Sequence, residues 1–168
     1  MTNETTTSQD YQSKFDEAYR PGVGMVIFNQ NGSVLVAERI DSRDSWQFPQ
    51  GGIDEGENPE DAVFREMEEE IGTRKAEIIA IMEGWTYYDY PPHVAYKMGT
   101  QLRGQRHKWV ALRFLGTDED IKLDTHIEPE FSRWKWVPIE NLLDEIVMFK
   151  RNAYEKIIEE FKKYAKKI

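Results

Sequence analysis

Gly51-Gly52-Ile53-Asp54-Glu55-Gly56-Glu57-Asn58-Pro59-Glu60-Asp61-Ala62-Val63-Phe64-Arg65-Glu66-Met67-Glu68-Glu69-Glu70-Ile71-Gly72 is the stretch on which the fold turns. It opens on glycines that break regular structure. Asn58 can cap a helix whose first turn accepts Pro59. Val63, Met67 and Ile71 then recur at helical spacing until Gly72 stops the helix. Glu66, Glu69 and Glu70 stand at i, i+3 and i+4, so three carboxylates share one helix face. Three like charges repel and lower helix stability unless something neutralises them. Hard divalent cations do so, and magnesium prefers carboxylate and water oxygens and bridges to substrate phosphates. The alternative for such a helix is a solvated acidic face.

Working outward, residues 1–18 read as a polar tail, and one domain is expected over 19–168. Two β-rich runs around Gln30-Asn31-Gly32 signal a hairpin. Residues 41–57 read as loop. Strands are expected over 76–82, 107–115 and 133–137, and a helical stretch over 139–148. A last helix from about Lys150 carries the apolar stripe Tyr154, Ile157, Ile158, Phe161 and Tyr164. Strands interleaved with two or three helices predict an α/β fold, a mixed sheet covered on both faces.

The 168 residues suit one domain with a real core, supplied by five Trp, eight Tyr and eight Phe. No Cys is present, which excludes disulfides and thiol–zinc sites. No apolar run approaches the roughly 20 residues that span a bilayer, and the N-terminus lacks a hydrophobic segment, so a cytoplasmic domain without membrane contact is expected. The net charge of −9 speaks against a nucleic-acid backbone, and no DNA partner is expected. Its distribution matters more than its sum. Residues 57–70 hold seven acidic residues and one basic, whereas residues 90–117 hold no carboxylate but Lys97, Arg103, Arg106, Lys108 and Arg113. An acidic pole beside basic surfaces suits a metal-dependent enzyme acting on a polyanion, or is ordinary solvated charge.

Gly51, Glu57, Arg65-Glu66, Glu69-Glu70 and Gly72, at these spacings, resemble the Nudix box, G-x5-E-x7-R-E-U-x-E-E-x-G-U, with U an aliphatic residue. All seven fixed letters match, and chance agreement is on the order of 10⁻⁹ per starting position. Thr73 at the last aliphatic position is the one departure. The resemblance implies a Nudix fold, an α/β/α sandwich with a loop–helix–loop catalytic motif. It implies that Glu66, Glu69 and Glu70 bind Mg²⁺, with Mn²⁺ as a possible substitute. It further implies that the carbonyl near Gly51 completes the metal shell, and that Arg65 and Glu57 pair to orient the helix.

The flanks extend the likeness. Tyr19-Arg20-Pro21, residues 46–52, Arg103-Gly104-Gln105, Lys108-Trp109, Pro129-Glu130-Phe131, Trp134-Lys135-Trp136 and Phe149-Lys150-Arg151 look like one subgroup of the family. It comprises bacterial RNA pyrophosphohydrolases and the similar diadenosine polyphosphate hydrolases. The implied substrate is the 5′-triphosphate end of RNA, with a dinucleoside polyphosphate as the alternative. A nucleoside triphosphate and a non-catalytic binding module stand further off. Glu130 resembles a distant carboxylate brought to the metal, as ligand or general base, or is a surface residue. Arg20, Arg39 and Lys150 are candidates for phosphate or base contacts. Gln47 and Gln50 face the phosphates or brace the loop. Tyr88 and Tyr90 hold a base or pack beneath Pro91-Pro92. Phe149 stacks on a base or lies in the core.

Overall fold

The computed structural model describes residues 12, 14–146 and 150–166. Strands β1 (Tyr19–Phe28), β2 (Val34–Arg39), β3 (Trp46–Gln47) and β4 (Gln50–Gly52) precede helix α1 (Pro59–Ile71). Then come β5 (Ala76–Ile81), β6 (Thr86–Asp89), helix α2 (Pro92–Met98), β7 (Gly104–Phe114), β8 (Phe131–Val137) and helix α3 (Arg151–Phe161). The strands form one mixed sheet with the path β3-β2-β1-β7-β5, on which β4 pairs with β1, β6 with β7 and β8 with β2.

β1 and β7 run parallel in register from Tyr19↔Gly104 to Phe28↔Arg113. Buried on both faces, β1 reads as a nearly unbroken apolar run. It sends Val23, Met25 and Ile27 to one side and Val26 and Phe28 to the other. The first side packs Ala62, Val63, Met67 and Ile71 of α1, and the second packs Tyr154, Ile157 and Phe161 of α3. Each such large side chain contributes roughly 1.5–3 kcal/mol by leaving water. The expected α/β/α layering follows from these two faces.

The hairpin forms, but differently from a two-residue turn. Gly32 alone takes a left-handed φ of 80°, and the Asn29 side chain accepts from the N–H groups of Asn31 and Ser33. β1 and β2 meet in register at Phe28↔Val34, after which β1 pairs with β4 through Gly22↔Gly52 and Gly24↔Gln50. That divergence sets the glycine loop beside the first half of β1.

Several expectations need correction. The loop over 41–57 contains β3 and β4, each too short to show a period. β6 and α2 escape the sequence reading, and α2 buries none of its residues, so it has no apolar stripe to read. The helical stretch expected from Ile139 is a 3-10 helix over Ile139–Asp144, and residues 147–149 lie outside the described residues. The polar tail ends earlier than expected. Residues 14–17 are helical, and the Phe15 ring packs 5.2 Å from Tyr19 and 5.4 Å from Tyr87, centroid to centroid.

Candidate active site

α1 begins where the Asn58 side chain accepts from the Asp61 N–H and ends on Gly72, whose φ is 77°. Thr73, the departure from the box, is buried, and its hydroxyl accepts from the Lys75 N–H at 3.1 Å, so its polar atom has a partner. Arg65 ties the helix to the loop before it. Its Nε and Nη2 each donate to one Glu57 oxygen at 2.8 Å, a bidentate pair, and Nη2 also donates to the Gly52 carbonyl at 2.8 Å. Nη1 donates to Glu66 Oε1 at 2.8 Å. The guanidinium holds the Glu57 carboxyl down at about 2.

Glu66 and Glu70 are buried one turn apart on this helix, 7 % and 9 % exposed, with Glu69 half-buried beside them. Burial raises both buried carboxyls, Glu70 up to about 8. The negative charges of Glu130, Glu66 and Glu69 push Glu70 the same way. Glu130 is exposed, on the loop that enters β8, and its carbonyl accepts from the Ile40 N–H at 2.9 Å. A side chain on residue 51 would place its Cβ 2.0 Å from the Glu66 carboxyl, so only glycine lets the loop backbone lie against that carboxylate.

The donors here are all oxygen and carry excess negative charge, which fits a hard divalent cation. Among the described residues, no three acidic or histidine side chains stand close enough to form a ready cage. A cation held by one or two carboxylates and several waters, with substrate phosphates completing its shell, matches that arrangement and is the habit of magnesium.

Beside the carboxylates lies a cleft of about 230 Å³ walled by Arg20, Arg39, Gln50, Gly51, His107 and Glu130. Arg20 is exposed and lies against Gly52; its Nη2 is 3.4 Å from where a Cβ there would stand. Arg39 donates from Nε and Nη2 to Asp41 at 2.8 and 2.9 Å, which fixes its guanidinium plane. His107 is buried, its Nδ1 has no hydrogen-bond partner, and burial pushes its pKa down to about 3. It therefore stays neutral.

A second cavity of about 360 Å³ shares Arg39, Gln50 and Gln105 with the cleft, and is closed by Trp46, Tyr88, Met98 and Lys150. Lys150 is 5 % exposed and donates to Gln47 Oε1 at 2.9 Å; burial brings it down to about 8. Both residues line this second cavity. Gln47 thus braces Lys150. Its Nε2, like Gln50 Oε1, is buried without a partner. Tyr88 is also buried, with its ring stacked on His107 at 5.4 Å and its hydroxyl between Gln50 and Gln105. Tyr90 lines the same cavity. Phe149 lies outside the described residues. Gln105, His107 and Asp41 do not stand out in the sequence as site residues. The parity of β7 places Gln105 and His107 toward the cleft, and that parity requires knowing the β1–β7 register.

Three comparisons bear on this site. A family model described as NUDIX domain matches residues 18–157. The chain is 49 % identical over 148 residues to the RNA pyrophosphohydrolase of Rhodospirillum rubrum, covering 88 % of this chain and 89 % of that one. It is 46 % identical over 152 residues to the RNA pyrophosphohydrolase of Acidiphilium cryptum, covering 88 % and 93 %. Among solved structures, the E. coli dihydroneopterin triphosphate pyrophosphohydrolase superposes with a TM-score of 0.66 at 21 % identity, covering 84 % of this chain and 98 % of that one. A C. elegans Ap4A hydrolase superposes with 0.59 at 18 %, covering 84 % and 98 %. Those two likenesses are of fold. With the glycine loop, the Arg65–Glu57 clasp and the acidic helix all in place inside the matched span, the chain belongs to the Nudix family of hydrolases.

Proposed function

We propose that this chain is an RNA pyrophosphohydrolase, acting with Mg²⁺ in the cytoplasm to convert 5′-triphosphate RNA ends to monophosphates and so open transcripts to decay. The observation that carries this reading is the shared wall between the two cavities. A polyphosphate lying by the carboxylates continues, past Arg39, Gln50 and Gln105, into a space whose rim of Trp46, Tyr88 and Met98 suits a base. The relatives named above support the same substrate.

Of Glu66, Glu69 and Glu70, one or two carboxylates would hold the cation directly and the rest through water, with the Gly51 backbone close by. Bound there, it would polarise the phosphates and stabilise the charge on the departing group. Arg20 and Arg39 line the same cleft and would meet the phosphate oxygens, and the Asp41 clamp keeps Arg39 from swinging with its ligand. Glu130, exposed at the cleft and coupled to Glu70 by charge, takes the proton of the attacking water as its oxygen bonds to phosphorus. The bond to the bridging oxygen then breaks, and pyrophosphate leaves.

A dinucleoside polyphosphate would place adenine in the same base cavity, which makes it the second reading. Turnover of triphosphorylated RNA, diadenosine tetraphosphate and a free nucleoside triphosphate, under identical metal and salt, separates these. RNA is expected to show the highest kcat/KM; a higher value for diadenosine tetraphosphate contradicts the proposal.

A further inference from the structure

The two cavities of the site account for the first nucleotides of an RNA and leave a third, more open cavity of about 640 Å³ without a role. It lies between the helical residues 14–17 and the start of β7, and it shares Arg20 and Pro21 with the catalytic cleft. Arg106 forms its far wall. The Arg106 guanidinium lies 4.2 Å from the centre of the Trp85 ring, and its Nε is buried without a hydrogen-bond partner. Two residues on along the same face of β7, Lys108 reaches to 5.8 Å from that ring and donates to the Gly84 carbonyl at 3.1 Å. Arg20, Arg106, Trp85 and Lys108 thus form a cationic and aromatic path that begins at the cleft.

A guanidinium plane braced on an indole offers its outer face for stacking, and single strands bind where cations track the backbone beside such flat surfaces. The carboxylates on this wall are partly engaged. Asp16 accepts from the Tyr87 hydroxyl at 2.8 Å and from Gln12 Nε2 at 3.0 Å, and Asp89 accepts from Arg103 at 2.7 Å and Tyr19 at 2.5 Å. Glu17 remains as an exposed negative charge on the rim.

We infer that this path carries the nucleotides of a single-stranded RNA downstream of those held at the cleft, with a base stacked on the Arg106–Trp85 pair and a phosphate beside Lys108. The inference rests on the RNA reading of the site. It assigns to the surface a preference for RNA length rather than a part in the chemistry.

The test compares a triphosphorylated dinucleotide with an unstructured triphosphorylated octanucleotide. The wild type should show a KM for the octamer at least about fivefold lower. Arg106→Ala and Trp85→Ala should raise the octamer KM by about five- to a hundredfold while leaving dinucleotide turnover unchanged. Because Trp85→Ala also removes packing, Lys108→Ala provides a milder check. It should lower the magnitude of the slope of log KM against log salt by about 0.7 for the octamer and leave the dinucleotide slope alone. Equal KM values for both lengths in the wild type, or equal losses on both in the variants, overturn the path while leaving the function standing. A wild type that hydrolyses diadenosine tetraphosphate and neither RNA overturns both.

Discussion

The carboxyl of Glu66 occupies the space that any side chain at residue 51 would need: a Cβ on Gly51 would stand 2.0 Å from it. The loop and the helix of the box are therefore in contact, backbone against carboxylate, at the point where a cation would bind. Gly51→Ala must push Glu66 aside or move the loop. Overpacking of this kind costs about 1–3 kcal/mol. Glu66 also accepts from Arg65, so the shift is transmitted to that clasp. The expected result is a lower melting temperature together with at least a tenfold loss of kcat. A fully active, equally stable Gly51→Ala contradicts the contact.

Glu70 predicts a pH signature that depends on metal. Burial and three neighbouring carboxylates raise its folded pKa to about 8, above its ordinary value of 4.5. Between those values the folded chain binds more protons than the unfolded one, so with chelator present its contribution is lost as pH rises from 4.5 through 8. Glu70→Gln removes that loss. The variant should be more stable than wild type at pH 8, and the advantage should shrink by up to about 1.4 kcal/mol per pH unit towards 4.5. Saturating Mg²⁺ should narrow the gap by stabilising the wild type, and the variant should lose most activity. A pH-independent difference in denaturant midpoint contradicts this account.

His107 predicts the opposite slope. Its folded pKa is depressed to about 3 against 6.5 when free, so the folded chain binds fewer protons between those values. Stability from this group is complete above pH 6.5 and is lost as pH falls towards 3, by up to about 1.4 kcal/mol per unit. His107→Gln should flatten the acid limb of the stability profile relative to wild type. Parallel acid limbs would show that His107 is not held neutral.

Arg65 reaches Glu57, Glu66 and Gly52 from one guanidinium. Lysine keeps the charge but lacks the fork. Groups that orient metal-holding carboxylates contribute about 10–100-fold in metal affinity. Arg65→Lys should therefore raise the Mg²⁺ concentration for half-activation by that factor, with kcat at saturating metal changing less. An unchanged metal dependence contradicts the clasp.

How much of this was legible in the chain depends on how local each signal is. Asn58, Pro59 and Gly72 mark α1 because capping is decided within a few residues, and Arg65 with Glu57 follows from the box spacing. The roles of Gln105 and His107 depend on the parallel pairing of β7 with β1, a relationship across some eighty positions that no local period announces. Helix α2 buries nothing, so it leaves no stripe. Phe15 looks like tail until Tyr19 and Tyr87 are seen beside it. Lys150 is legible as a candidate for a phosphate or base contact, but its burial against Gln47 inside the second cavity depends on the fold.

The central claim is that the polyphosphate accepted here is the end of an RNA. The most direct measurement is a competition, with triphosphorylated RNA and diadenosine tetraphosphate at equal concentration in one reaction with Mg²⁺, and both products followed over time. The account predicts monophosphate RNA ends and released pyrophosphate at least about tenfold faster than cleavage of the dinucleotide. Consumption of diadenosine tetraphosphate first, with RNA ends left as triphosphates, would contradict it.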